Sequence, residues 1–393
     1  NTSASVRLSH ELAGGAEVFG TLLHSEGESE FDATQKDWYE FTHHASSIGI
    51  RGNLTEQWLS TLKVAYSIDE SERFGGIRSK FNTERNLLDW QNDLSIGERH
   101  LLTLGADYQN DRVNVSDDYL ERSRDNVGIY GQWQTNLDRH DLALSLRRDD
   151  NEAFGRETTG QIAWGVRLNQ DWDFYAAYGT AFKAATFNEL YTPFVDFSQF
   201  GFPGSYVGNP DLRPEVSETY ELGITFESGM LYLDAALFET QVDDLIVNAG
   251  GIDRRPENIN DARIRGVEVN LMLRNNLWTA AAAVTHLQHE DRNTGKKLNR
   301  RPDSSLRLDL DRHWNAYSIG STFMAEGSRY DDVDNQDRLG GFALLDLRAS
   351  YRITPEWRLS GKIQNALDKD YETIQGFNQP GRAFFVTLNY QQR

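Results

Sequence analysis

GNPDLRPEVSETYELGITFE, residues 208–227, joins a proline-bracketed turn to a stretch in which apolar and polar residues alternate. Tyr220, Leu222, Ile224 and Phe226 share one face of such a strand, and Thr219, Glu221, Gly223 and Thr225 the other, because successive side chains of an extended chain point to opposite sides. The fold turns on whether the rest of the chain does the same, and on which solvent each face meets.

The pattern recurs along the chain. Val267, Val269, Leu271 and Leu273 oppose Glu268 and Asn270, and Leu345, Leu347, Ala349, Tyr351 and Ile353 oppose Asp346, Arg348, Ser350 and Arg352. Leu359, Gly361 and Ile363 oppose Arg358, Ser360 and Lys362, while Phe384, Val386, Leu388 and Tyr390 oppose Phe385, Thr387 and Asn389. Each stretch is about 10 residues long, the length a tilted strand needs to cross a bilayer. Helical periodicity is scarce.

The connectors alternate as well. Tight turns fall at 13–16, 54–57, 96–99, 137–141, 169–171, 227–230, 274–276, 311–313 and 354–356. Long polar connectors fall between them, at 25–40, 69–82, 110–125, 149–157, 184–213, 243–262, 289–300, 327–341 and 368–381. Short turns at one end and long loops at the other are the pattern of an outer-membrane barrel, and a soluble sandwich has no reason to sort its loops this way. Trp58, Trp172, Trp278, Trp314 and Trp357 each follow a tight turn, which places them at one height, as a girdle at one membrane interface. Five ordinary core tryptophans are the competing reading.

Composition bounds the rest. A chain of 393 residues allows two or three soluble domains or one large barrel. A net charge of −20 argues against a nucleic-acid partner, and the absence of cysteine excludes disulfides and thiolate chemistry. There is no apolar run of about 18 residues, so no transmembrane helix is expected. The opening NTSASVRLSH already reads as strand and not as a signal peptide, as in a mature or truncated chain. A mean hydropathy of −0.62 is compatible with a membrane barrel, where only alternate residues face lipid. The expectation is therefore an all-β, transmembrane antiparallel β-barrel over 1–393, with short periplasmic turns and long extracellular loops. The turns count to roughly 19 strands, and single-chain bacterial barrels have an even number. A strand missing before residue 1 would make the count even, and 72–82 also reads as a shortened connection where a hairpin is lost or left out.

Several segments carry a resemblance. YGTAFKAATFNELY (178–191), GNPDLRPEVSETYELG (208–223), ENINDARIRGVEVN (257–270) and IQNALDKDYETIQGFNQPGR (363–382) resemble the barrel of TonB-dependent outer-membrane transporters. RRDDNEAFGRETTGQIAWGV (147–166) and DKDYETIQGFNQPGRAFF (368–385) are most similar to the cobalamin-receptor branch of that family. The resemblance implies a monomeric barrel of up to about 22 strands in the bacterial outer membrane, among lipid and lipopolysaccharide. It implies capture of cobalamin or another large nutrient, and energisation by the inner-membrane TonB complex through a plug domain that these residues lack. Three features depart from the family pattern: the missing plug, Lys183-Ala184-Ala185 in place of Lys-Ala-Pro, and an end at Tyr390-Gln391-Gln392-Arg393 without a terminal aromatic. A ferric-siderophore or haem receptor and a passive, plugless channel are the competing functions, with a soluble β-sandwich or adhesin further off.

No catalytic constellation is present; there is no phosphate loop and no HExxH, and the chain reads as a non-enzyme. His286 and His289 would suit a metal pair but are read as exposed loop histidines where a strand runs into a loop, and His43-His44 would point to opposite faces. No cofactor is required by the pattern, but Glu26, Glu28, Glu30, Asp32 and Asp37 crowd one long connector and Asp69, Glu70 and Glu72 the next. Such oxygens suit calcium, which the resembled branch uses to order loops; a solvated acidic face is the alternative. Ligand contacts are expected in 184–213, where Phe187, Tyr191, Phe194, Phe197, Phe200, Phe202 and Tyr206 are dense and suit a large flat ligand. The alternative is that these rings only pack the loop.

Overall fold

The computed structural model describes all residues except 33–35, 76–77, 201–202, 251, 259–260 and 392–393, and describes only the backbone of 31, 32, 36, 199 and 200. Among the described residues, nineteen strands belong to one antiparallel sheet. They are β1 (Thr2–Glu11), β2 (Glu17–Asp32), β3 (Lys36–Thr55), β4 (Trp58–Phe74), β5 (Ser79–Ile96), β6 (His100–Val115), β7 (Ser123–Leu137), β8 (His140–Asn151), β9 (Gly155–Arg167) and β10 (Trp172–Lys183). There follow β11 (Glu215–Ser228), β12 (Leu231–Asp243), β13 (Ala262–Arg274), β14 (Trp278–Asp291), β15 (Ser304–Trp314), β16 (Tyr317–Glu326), β17 (Phe342–Arg352), β18 (Trp357–Gln364) and β19 (Ala383–Tyr390). The chain divides into two compact units, one comprising 1–162, 179–216 and 244–259, the other 163–178, 217–243 and 260–393.

In the first unit, β1 to β8 pair in sequence order. One face carries Ile48 and Ile50, then Leu62 and Val64 opposite them, then Leu88 and Trp90. All six are exposed. The other face is polar and closes on itself through ion pairs. Gly105 sits opposite Tyr130 on this polar face, and a Cβ there would lie 2.2 Å from the ring. The bare backbone lets the phenol lie flat on the neighbouring strand.

The connectors expected at 25–40, 69–82 and 110–125 are largely strand. The ladder of β2, β3, β4 and β5 runs for 16, 20, 17 and 18 residues. Around 72–82, Arg73 of β4 pairs directly with Ser79 of β5. The sequence reads as loop there because both faces of a projecting strand meet water, so the alternation stops while the hydrogen bonds continue.

In the second unit, β12 to β19 also pair in order. Leu231, Leu233, Ala235 and Leu237 face Leu273, Leu271, Val269 and Val267 rung by rung. The same face continues through Ala280, Ala282 and Val284 to Leu310, Leu308 and Leu306. Beyond Leu237 and Val267 it turns polar, with Glu239 accepting from Arg265 at 2.7 Å. Trp172, Trp278 and Trp357 open their strands at the short-turn end, as expected. Trp314 does not follow a turn; it closes β15 just before the turn at 315–316, and still stands at the short-turn end, opposite Tyr317. Trp58 opens β4 in the first unit and donates to Asn92 Oδ1 at 3.0 Å.

Candidate functional site

The connector expected to carry ligand contacts begins where β10 leaves the sheet. Thr186 and Glu189 form a reciprocal capping box, with Glu189 N donating to Thr186 Oγ1 at 3.2 Å and Thr186 N donating to Glu189 Oε2 at 2.7 Å. They start a single helical turn, α1 (Phe187–Tyr191). Beyond it the connectors 184–213 and 243–262 pair with each other. Val195–Asp196 lies antiparallel to Ser205–Tyr206, which runs parallel to the start of Asp253–Asn258, which in turn pairs with Ile246–Ala249.

The motif Asn209-Pro210-Asp211-Leu212-Arg213-Pro214 is the clamp of this cap. Asn209 N donates to Glu189 O at 2.7 Å, and Gly208 N to Thr192 O at 2.8 Å. A Cβ at Gly208 would meet Leu190 and Thr192 backbone at 2.8–2.9 Å, so glycine is required for that approach. Asn209 Nδ2 reaches Pro256 O at 2.9 Å while its Oδ1 accepts from Arg255 at 2.8 Å. Asn258 Oδ1 accepts from Arg213 N at 2.8 Å, and its amide donates to Arg213 O and Asp244 O at 2.9 and 2.7 Å. Leu212 is buried with Ala185 and Leu190.

The expected ligand aromatics divide by environment. Phe187 is buried with Val113 and Val115, with Phe81, Tyr119 and Tyr191 around it. Arg124 lies 4.8 Å over its ring and donates to Ala185 O at 2.8 Å. Tyr191 and Tyr206 are half-buried, and Tyr206 donates to Asn188 O at 3.4 Å. Phe197 is half-buried in a 3₁₀ turn. Phe194 is open, at 67% exposure. Phe202 lies outside the described residues, as does the side chain of Phe200. Burial pushes the phenols of Tyr119, Tyr191 and Tyr206 above their usual range, so all three are neutral apolar surfaces with a hydrogen-bonding tip. The sequence reading missed Tyr119, which donates to Asn188 Oδ1 at 2.7 Å, and the exposed Leu120 and Ile252. Their signal was weak, because Tyr119 and Leu120 lie in the 110–125 connector and Ile252 in 243–262, all away from the aromatic cluster of 184–213.

The acidic residues do not converge. The register puts Glu26, Glu28, Glu30, Glu70 and Glu72 on one face of β2 and β4 and Asp69 on the opposite face. Asp37 also lies on that opposite face, buried, and accepts from Arg73 at 2.5 and 3.0 Å. The side chain of Asp32 is outside the described residues. Among the described residues no group of three His, Asp or Glu is placed to hold a metal ion, so the geometry lends the calcium expectation no support. His286 and His289 likewise fall on opposite faces of β14.

The polar face carries the charge. In the first unit Arg147 bridges Asp107, at 2.6 and 3.0 Å, and Asp149, at 2.7 and 2.9 Å, while Arg85 binds Asp111 at 2.7 Å. In the second, Arg348 binds Asp311 at 2.5 and 2.8 Å and Thr322 at 2.6 Å. Forked guanidinium–carboxylate pairs of this kind fix a wet wall, and with two aspartates on Arg147 that cluster stays net acidic.

Residues 5–366 match the family described as TonB dependent receptor-like, beta-barrel. A curated relative, the vitamin B12 transporter BtuB of Photobacterium profundum, is 28% identical over 382 residues, which is 93% of this chain and 60% of the relative. The chain thus spans less than two thirds of that protein. Among solved structures, the siderophore receptor PiuA of Acinetobacter baumannii superposes with a TM-score of 0.78 at 14% identity, covering 99% of this chain and 74% of that one. A mutant of the ferric enterobactin receptor PfeA of Pseudomonas aeruginosa gives a TM-score of 0.75 at 16% identity, covering 96% and 70%.

Proposed function

This chain belongs to the TonB-dependent receptor β-barrel family of the outer membrane, and from that premise we propose that it is the barrel of a receptor that captures cobalamin. The observation that carries the reading is the cap. Buried Phe187, with half-buried Tyr119 and Tyr191 packed around it, makes a platform, and Phe194, Leu120 and Ile252 remain open to a ligand. Apolar and aromatic surface on a rigid support suits a large, flat ligand, and a rigid site avoids the ordering cost of a mobile loop. The name of the relative at 28% identity points to the same ligand.

The activity is binding and passage, with no bond made or broken. Capture needs only affinity. Passage needs work, which in this reading the TonB complex supplies through a plug domain. Siderophore capture is the second reading, favoured by the names of PiuA and PfeA.

Equilibrium binding to the purified protein in detergent tests the proposal, with cyanocobalamin and a ferric catecholate as competing probes. Saturable cobalamin binding weakened by Phe194→Ala supports it. Catecholate binding alone replaces cobalamin with a siderophore. Binding of neither, together with steady ion conductance in a planar bilayer, makes the chain a passive channel.

A further inference from the structure

From β12 to β19 the apolar face is uncharged between the short-turn end and the polar tips, with one exception among the described residues: Arg312. Register places it on that face, opposite Trp278 on β14 and Ile319 on β16. Its guanidinium lies 4.7 Å from the Trp278 ring centroid and 5.4 Å from that of Trp314. The flanking carboxylates Asp309 and Asp311 are on the other face, where Arg307 and Arg348 bind them. Among the described residues no carboxylate oxygen is within 4.0 Å of Arg312.

A cation at the lipid boundary is costly unless something answers its charge. The two indoles hold the guanidinium through their π faces but leave its N–H edge unsatisfied. That edge is a planar fork matched to a phosphate. Beside it the same face opens into a groove of about 500 Å³. Trp314, Ile319, Tyr351 and Leu359 wall the groove, and Ala349 and Gly361, paired in register, form its floor. Small residues there leave a channel along the strands where larger ones would fill it.

We infer that Arg312 and this groove form a site for one anionic phospholipid of the leaflet at the short-turn end. The phosphate sits on the guanidinium edge and an acyl chain lies over Ala349 and Gly361. The site rests on the outer-membrane placement of the chain and is independent of which nutrient the cap binds.

Native mass spectrometry of the purified protein, released from detergent with added phosphatidylglycerol, reads the site directly. One lipid retained per chain is expected. Arg312→Gln should weaken retention about fivefold, the worth of one interfacial cation near an anionic lipid. Arg312→Lys should recover part of it, and Gly361→Leu should lower it by filling the groove with the charge intact. Soluble glycerol phosphate should not compete, since it lacks the chain. Equal retention by the wild type, Arg312→Gln and Gly361→Leu, all three folded by heat-shifted gel mobility, would overturn the site and reduce Arg312 to a side chain that reaches interfacial water. Displacement of the lipid by glycerol phosphate would overturn the acyl groove.

Discussion

Phe187 and Phe194 are seven residues apart in one connector and do different work. Phe187→Ala opens a cavity beneath the cap and should cost about 3–5 kcal/mol of local stability, read as faster proteolysis of the 184–213 connector. Phe194→Ala removes an exposed ring, so stability should hold while ligand affinity falls. A similar loss of stability in both would place Phe194 in the packing. Asp332 offers a pH test in the 331–337 turn. Burial raises its pKa, but the backbone N–H groups of Gln336 and Asp337 that donate to its carboxylate at 2.8–3.1 Å outweigh burial and hold it below the usual range. A lowered folded value means the order it confers is complete above the ordinary Asp pKa of about 3.9 and is lost as pH falls through the lowered value. NMR of the Gln336 and Asp337 amides should therefore show their downfield shifts intact at pH 5 and collapsing only below about 4. A transition centred above that value would contradict the assignment.

Strand pairs are the unit at which the polar face is built, and Gly105 with Tyr130 tests this. Gly105→Ala should cost about 1–3 kcal/mol by lifting the ring off β6. The double change Gly105→Ala, Tyr130→Leu should cost less than the sum of the two single changes, since the clash is shared. Urea midpoints in detergent decide it, and strict additivity would show that the ring does not need the bare backbone. Alternation made the strands legible at this scale wherever one face meets lipid, as for Val267–Leu273. It failed in the tips of β2 to β5, where Glu26, Glu28 and Glu70 read as loop because both faces are wet. The cap was legible only as a cluster of aromatics. That Asn209 and Asn258 lock two connectors 49 residues apart could not be read, because each asparagine is locally an ordinary turn residue.

Across the whole molecule the two faces should respond oppositely to charge. Leu308→Arg, at the middle of the apolar face, should destabilise the folded chain in bilayers by about 2–4 kcal/mol, whereas Arg307→Leu next to it should cost little beyond its pair with Asp309. Folding yields into liposomes measure both. If the two changes cost the same, the faces are misassigned. Fold and membrane location were legible from the sequence because a bilayer imposes a pattern on every crossing. The ligand was not, since a few side chains of one connector, and not a pattern repeated at every crossing, would set it. The ladders of β2 to β5, which run through their tips without a register shift, have a mechanical consequence. A push on one of those tips is borne in shear by a row of backbone hydrogen bonds acting together, instead of being absorbed by a slack loop. The tips should therefore act as levers continuous with the wall, and a load applied tens of ångströms along the strand should be passed down to its base as a displacement.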